Sequence, residues 1–600
     1  MYKTKPRFPC HMPSDAHLNV LTLNASLKGA QVKEIGMKIG DRTDGRAHSG
    51  QMTRRMFLGT TGAAGAAMLT GGAGSLLHAG VQGAAGAPVW IEKSIPELQA
   101  LMASGALTSR ELTQGYLQRI RDLNPLLRAV IETNSQAVGI AAQLDAERRR
   151  ANLRGPLHGI PILVKDNIAT DDTMQTTAGS LALVNSRVPG DAPIVSRLRA
   201  AGAVILGKAN LSEWANFRGF APIDFNGWSA RGGKTRDPYL LSFDPCGSSS
   251  GSAAAPAANL CAAAVGTETD GSVVCPSTNN LVFGLKPTLG LLSQDGIIPI
   301  AHSQDTAGPI ARTVIDLAIL LNVMRTPFGA VAGQTLPPDY VSFLDANSLA
   351  GKVIGVDQRY LTPAYSVASP DMLAVFDQGL AAITSLGATL VPVDTGDIFG
   401  YSNDEFFVLL MEFKTHVAQY LAGLSHTTMR TLSDLIAFNQ QHCPAEMPYY
   451  GQELFEISDS LSGDLSDPDY LAARANCLLQ SRALGIDAVL AAGVDAIAAP
   501  SYSFASQPAA VAGYPNIAIP VGVSTAGRPA GMWMYAGFLQ EPKLLAFAYA
   551  LEQALHPRSA PQFTGTLQPF PPDPGVCASL PKKPHVFTGK AHLPHGRLFM

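Results

Sequence analysis

The stretch from Asp244 to Pro276, DPCGSSSGSAAAPAANLCAAAVGTETDGSVVCP, limits the possible folds more than any other part of the chain. Its residues are nearly all small, so backbone can approach backbone or a bound molecule closely. Hydroxyls recur where an ordinary core would hold Leu or Val. Ser248, Ser249 and Ser250 lie between Gly247 and Gly251, and Ser272 follows Gly271. Gly/Ser-rich runs are often flexible linkers. A linker is not followed directly by an apolar segment such as Ala253 to Ala264, which suits a buried helix fixing the distance between the two Ser elements.

A Ser hydroxyl attacks a carbonyl only when a base removes its proton. His is the usual base, but neither Gly-Ser element contains one, and the nearest upstream is His158. A Lys can replace it if burial keeps the amine neutral. Lys165 ends the apolar run Ile160 to Val164, so it is the candidate. The competing reading makes Lys165 an exposed strand end or a partner of Asp166. Ser248, Ser249 and Ser272 could equally be helix or turn caps. Gly247 to Gly251 also fits GxSxG, which would make Ser249 a nucleophile on a strand-to-helix turn. Pro245 spoils the strand that this pattern needs. Thr269, Asp270, Gly271 and Ser272 place successive backbone N–H groups in a tight turn, an arrangement able to hold an oxyanion.

Around this stretch, apolar runs alternate with helical patterns. His158–Asn167 and Ala203–Lys208 read as strands, with Ile194–Ala201 helical between them. Further strands are expected at 282–292, 297–300, 352–356, 389–393, 496–500, 517–521 and 531–535. Helices are expected from Ser109, as N-cap, to a stop at Asn124-Pro125, and at 136–150, 310–324, 372–386, 404–490 and 543–555. The order implies an α/β fold: a single large domain whose mixed, mostly parallel sheet is covered by helices on both faces. Charged residues make up 15% of the chain, below the roughly 25% of average soluble domains, which suits a body with much buried surface. A formal net charge of −3 offers no basic field for nucleic acid. The seven cysteines include no CxxC and there is no HExxH, which argues against a zinc or redox motif, and chemistry run by Ser and Lys needs no metal or organic cofactor.

Residues 1–87 read as a leader with an upstream extension. Thr53-Arg54-Arg55-Met56-Phe57-Leu58-Gly59 matches the twin-arginine export signal. The Gly/Ala-rich run after it, to about Leu77, is too short and too Gly-rich for a good membrane span. Met37 and Met52 are alternative starts, and processing is expected after Ala79. The expectation is a periplasmic or secreted protein, delivered by the export machinery and without stable membrane association. The mature chain begins near Pro88, and 558–600 read as a Pro-rich, weakly structured tail.

These residues together resemble the amidase signature family, whose hallmark is GGSSGGSAA, an Ala/Gly helix, then GTDTGGSIRxPA and GLKPT. The matching segments here are CGSSSGSAA, GTETDGSVVCP and GLKPT. LHGIPILVKDNIAT and GKANLSEWANFRG upstream, and SQDTAGPIARTV and AGYPNIAIPVGV downstream, fit as well. The likeness runs over roughly residues 90–556 within a catalytic domain of 88–557. It implies a Ser–Ser–Lys triad: Ser272 as nucleophile, Ser248 as bridge on a cis peptide bond, and Lys165 as base. The backbone of Thr269, Asp270, Gly271 and Ser272 would form the oxyanion hole, with Ser249 in support. The 24 residues between Ser248 and Ser272 agree with the family's pattern. The chain departs from that pattern at Glu268 (usually Asp), Asp270 (usually Gly) and Val274 (usually Arg), and the last change removes the expected partner of Glu268. TETDGSVVCP with SQDGIIPI and SQDTAGPIAR is similar to the peptide amidase branch, which removes the C-terminal carboxamide of peptides. The substrate would then be a peptide amide or another small amide. A glutaminase-type subunit of a tRNA-dependent amidotransferase is the alternative, disfavoured by the leader. Six cysteines remain beyond Cys10 of the leader. Cys246 and Cys275 flank the two serines, and both a bridge and two buried thiols are open there.

Overall fold

Eleven short runs, most of them apolar, line up into one sheet. The computed structural model describes residues 88–326, 330–567 and 571–579; the twin-arginine motif and the rest of the leader lie outside them. The strands are β1 (Val130–Thr133), β2 (Pro161–Lys165), β3 (Val204–Ala209), β4 (Ala263–Glu268), β5 (Phe283–Lys286), β6 (Thr306–Ala311), β7 (Val353–Asp357), β8 (Thr389–Val393), β9 (Ala496–Pro500), β10 (Asn516–Val523) and β11 (Pro529–Tyr535). Their order is β1-β3-β2-β4-β6-β5-β10-β11-β9-β7-β8. Helices pack on the sheet, giving the expected large α/β domain.

The sheet is mixed, but parallel pairing is less prevalent than the strand–helix–strand order implied. Parallel pairs occur at β2 with β3 and β4, and at β7 with β8 and β9. The centre, from β4 through β6, β5, β10 and β11 to β9, is antiparallel. Three strands escape the sequence pattern: β1, β6, and β4, whose first residues fall in the segment expected to be helical. β1 is four residues long and half exposed. β6, TAGPIA, carries Gly and Pro, and its first residues look like loop while Ile310 and Ala311 look like the start of the next helix. It is nevertheless fully buried. A Cβ on Gly308 would fall 2.3 Å from the Leu285 carbonyl oxygen, so this close approach needs glycine. The ladder with β5 ends at Ile310, so Pro309 lies beyond it. The helix that follows covers Val314–Met324 alone.

Other expectations change in detail. The Ala-rich segment is not one helix: a helix of Ser250–Ala257 ends at Asn259, whose φ is +54°, and the rest is strand β4. Ile297 to Ile300 is not a strand; Ile297 makes a single bridge to Ile168. The helix Ser109–Leu127 is capped by Thr108, not Ser109, in a capping box with Glu111. It continues through Pro125 to Leu127, and Arg128, at φ of +48°, closes it in the left-handed region.

A second apolar cluster lies under the helices Ser402–Ala422, Leu432–Gln441 and Glu453–Ser460, where Trp214 and Phe217 pack against Phe413 and Phe455. Arg218 ties the 213–218 segment to this layer. It is fully buried, pairs with Glu213, and donates to the carbonyls of Glu446, Tyr450 and Gly451. Its guanidinium also lies 4.2 Å from the centre of the Tyr450 ring. The segment past 558, read as weakly structured tail, contains a short helix at Pro574–Ala578. Cys577 in that helix is bonded to Cys443, and Arg558 forms an ion pair of 2.8 Å with Glu92. Among the described residues no helix is long and apolar enough to cross a membrane.

Candidate active site

Strand β2, third in the sheet order, delivers Lys165 at its C-terminal end, where it is completely buried. Register sets Val164 against Val265, so the Lys side chain meets the end of β4. Lys165 Nζ donates to Ser248 Oγ at 2.7 Å, to Thr267 Oγ1 at 2.8 Å and to the Thr267 carbonyl at 3.2 Å. Burial pushes the amine well below the ordinary Lys range, against the opposing pull of the Asp305 and Glu268 carboxylates. The exposed strand-end reading of Lys165 therefore fails. The Gly247–Ser248 peptide bond is cis.

The three serines of the run have different surroundings. Ser248 faces Lys165. Ser249 Oγ donates to the Thr267 carbonyl at 3.0 Å and accepts from Thr267 N–H at 3.1 Å. Ser250 Oγ bonds the Cys246 carbonyl at 2.6 Å. Residues 242–246 contain no strand, so the nucleophile-elbow reading of Ser249 has no structural basis.

Ser272 follows β4 through the turn 269–271. Ser249 N–H donates to its carbonyl at 3.2 Å, which joins the two Ser elements. Ser272 is 8% exposed and opens onto a pocket. Phe217, Ile300, Leu409 and Trp533 give this pocket apolar walls, and Asp270 and Ser506 add polar groups. The disulfide Cys246–Cys275 runs along it, which resolves the open question about these two thiols. Gly271 has φ of +74°, a region costly for any residue with a Cβ. Ala at 271 would also bring its methyl 3.2 Å from Ser506 Oγ. Gly271→Ala is expected to lower stability by about 1–2 kcal/mol, measured by denaturant titration, and to lower kcat by shifting the turn. Unchanged stability and rate would show that the left-handed turn is dispensable.

Buried carboxylates hold this turn. Glu268 Oε2 accepts from Val273 N–H at 2.7 Å and Val274 N–H at 3.0 Å, and Gly271 N–H also faces this carboxylate. Burial pushes the Glu268 carboxyl up, and the Lys286 ammonium opposes that push. Asp305 accepts from Thr269 Oγ1 at 2.6 Å and from the Ile300 and Ala301 amides, and burial raises it to about 7. Glu405 accepts from Gln304 and Gln507 and is raised by burial to about 7. Sequence reasoning missed Thr267, Asn167, Asp305 and Glu405. The motif VKDN carried a signal for Asn167, whose Nδ2 donates to Thr267 Oγ1 at 3.0 Å. Thr267 and Asp305 lie in the matching segments GTETDGSVVCP and SQDTAGPIARTV, but their partners, like those of Glu405, are distant in the chain.

Comparison with known proteins identifies the family. The Amidase family model matches residues 111–545. A probable amidase of Arabidopsis thaliana is 39% identical over 488 residues, 79% of this chain and 92% of that protein. The crystal structure of the native peptide amidase from Stenotrophomonas maltophilia superposes with a TM-score of 0.74 at 45% identity, covering 80% of this chain and 100% of that one. A glutamyl-tRNA(Gln) amidotransferase component from Halorhodospira halophila is 31% identical over 77% of this chain and 97% of its own length. A buried lysine on a serine, a second serine at a pocket and these matches lead to one statement: the chain belongs to the amidase family and is an amidohydrolase.

Proposed function

We propose that the protein removes the C-terminal carboxamide of peptides, releasing ammonia, by acyl transfer to Ser272. The reading rests above all on the 2.7 Å bond from buried Lys165 to Ser248, beside the pocket that holds Ser272. Neutral Lys165 takes the Ser248 proton as Ser248 takes the Ser272 proton. Ser272 Oγ forms a bond to the amide carbon, and the carbonyl pair moves to oxygen. Of the four backbone N–H groups expected to form the oxyanion hole, those of Thr269, Asp270 and Ser272 would face that oxyanion, while the Gly271 N–H is directed to the Glu268 carboxylate. The C–N bond then breaks as Ser248 returns a proton to nitrogen, and Lys165 reprotonates Ser248. Water, deprotonated by the same relay, releases the acid. Ser249 supports the relay by holding Thr267 in place.

The peptide preference is supported by the 45% identity to a peptide amidase across that protein's whole length. The likeness to an amidotransferase component, with 31% identity, favours the alternative less. Ammonia release from a panel of peptide amides, amino-acid amides, aliphatic and aryl amides and glutamine tests the reading. Peptide amides are expected to have the highest kcat/KM. A preference for glutamine, or for simple amides over peptide amides, would replace the reading. kcat/KM should fall on the acid side through one ionisation well below the free Lys value of about 10.4. The sign follows from the base: Lys165 works uncharged, and acid charges it. A rate that stays unchanged down to strongly acid pH would contradict a Lys base.

Export by the twin-arginine route to the periplasm or beyond completes the proposal. Two disulfides among the described residues, Cys246–Cys275 and Cys443–Cys577, fit an oxidising compartment.

A further inference from the structure

One acid in the pocket stands apart from its neighbours. Asp270 is 7% exposed and lines the same cavity as Ser272. Neither of its carboxyl oxygens makes a hydrogen bond of ordinary geometry among the described residues. The neighbouring acids are bonded: Glu268 to the Val273 and Val274 amides, Asp305 to Thr269 and two amides, Glu405 to two glutamines. Asn216 Oδ1, on the wall of the same pocket, is also without a partner there. A buried polar group left unpaired is costly, so a bound molecule that satisfies Asp270 gains affinity.

The surroundings determine which form of Asp270 the substrate meets. Burial pushes its carboxyl well above the usual range, and the Glu405 and Glu268 carboxylates push it the same way. The Ser506 hydroxyl and the Lys286 ammonium act against them, and the Tyr401 phenol also faces the group. These surroundings favour the neutral carboxylic acid over the carboxylate at Asp270. A carboxylic acid carries an O–H donor and a C=O acceptor side by side. Its complement is a group with a carbonyl and an N–H on the same edge. A primary carboxamide has that edge, because one of its two N–H bonds lies on the carbonyl side. A trans peptide bond does not, since its single N–H points away from its carbonyl. An ester has no N–H.

We propose that Asp270 is the residue that distinguishes a terminal carboxamide from an internal peptide bond, its O–H donating to the substrate carbonyl and its C=O accepting from the amide N–H beside it. The proposal rests on the hydrolase reading above and specifies how that site chooses its substrate. Asp270 makes and breaks no covalent bond. The family's glycine at this position could not form the pair.

The test measures kcat/KM for one peptide as its primary amide, its N-methylamide and its methyl ester, with wild type, Asp270→Asn and Asp270→Ala. Asn keeps a donor and an acceptor side by side without a titratable proton. The preference of wild type for the primary amide over the N-methylamide is expected to drop about tenfold or more in Asp270→Ala, the size of one or two lost hydrogen bonds. Asp270→Asn is expected to keep that preference within about threefold. Wild type should also lose activity on the alkaline side as Asp270 ionises, and Asp270→Asn should lose that limb. Equal collapse in both variants would show that a charged carboxylate is required and would overturn the proposal, as would an intact preference in Asp270→Ala. Should the Ala variant not fold, an alkaline limb that persists in Asp270→Asn overturns it alone. Wild type that hydrolyses no amide would instead remove the hydrolase reading.

Discussion

Lys165→Met is expected to lower kcat by about 10³–10⁴-fold and to leave the protein folded. Met approximates the volume of the Lys stem and carries no charge to desolvate, so the core loses three hydrogen bonds but gains no cavity. Thermal unfolding should accordingly show a Tm within a few degrees of wild type, or higher. The drop should appear in kcat more than in KM, because the amine acts as the bond to Ser272 forms and not in holding the ground state. Ammonia release under saturating peptide amide measures it. A variant that keeps a tenth or more of the wild-type kcat would mean that some other group takes the proton.

Ser272→Ala should be more severe, at about 10⁴-fold or more in kcat, because no acyl-enzyme can form. Intact-mass analysis makes this specific. Wild type mixed with a slowly deacylating ester should gain the mass of the acyl group, and Ser272→Ala should gain nothing. Ser249→Ala provides the contrast. Its hydroxyl bridges the Thr267 N–H and carbonyl, so its loss removes both bonds, leaves the carbonyl with Lys165 Nζ, and costs about 1–3 kcal/mol of stability. It should still acquire the acyl mass. Acylation of Ser272→Ala, or its absence in a folded Ser249→Ala, would return Ser249 to the role of nucleophile.

The site was legible where its chemistry is local. Gly-Ser elements, a lysine at a strand end and a left-handed Gly271 are each written in a few neighbouring residues. Chain order also exposed most strands of the α/β sheet, because buried strands are short apolar runs. What stayed hidden depends on partners far along the chain. Asp305 meets Thr269 across 36 residues, and Glu405 meets Gln304 across 101. Strand β6 was hidden because TAGPIA satisfies its neighbours' close approach with glycine, the residue that ordinarily signals a turn. The antiparallel centre of the sheet was hidden because pairing direction is set by connections and not by composition. The Cys246–Cys275 bridge needed coordinates, since cysteine spacing alone allows many pairings.

The Cys443–Cys577 bond bears on where this protein can be cut. Family boundaries suggest trimming an expression clone near residue 545, the end of the matched region. Such a clone would lose Cys577 and leave Cys443, 3% exposed, as an unmatched thiol in a segment that also carries Glu446, a carbonyl partner of Arg218. It would equally strip Arg558 from Glu92, whose carboxyl that guanidinium helps hold down at about 2 against the opposing effect of burial. The unit that folds therefore extends past the unit that evolution repeats, and a shortened clone that aggregates would report on its missing anchor and not on its catalytic centre.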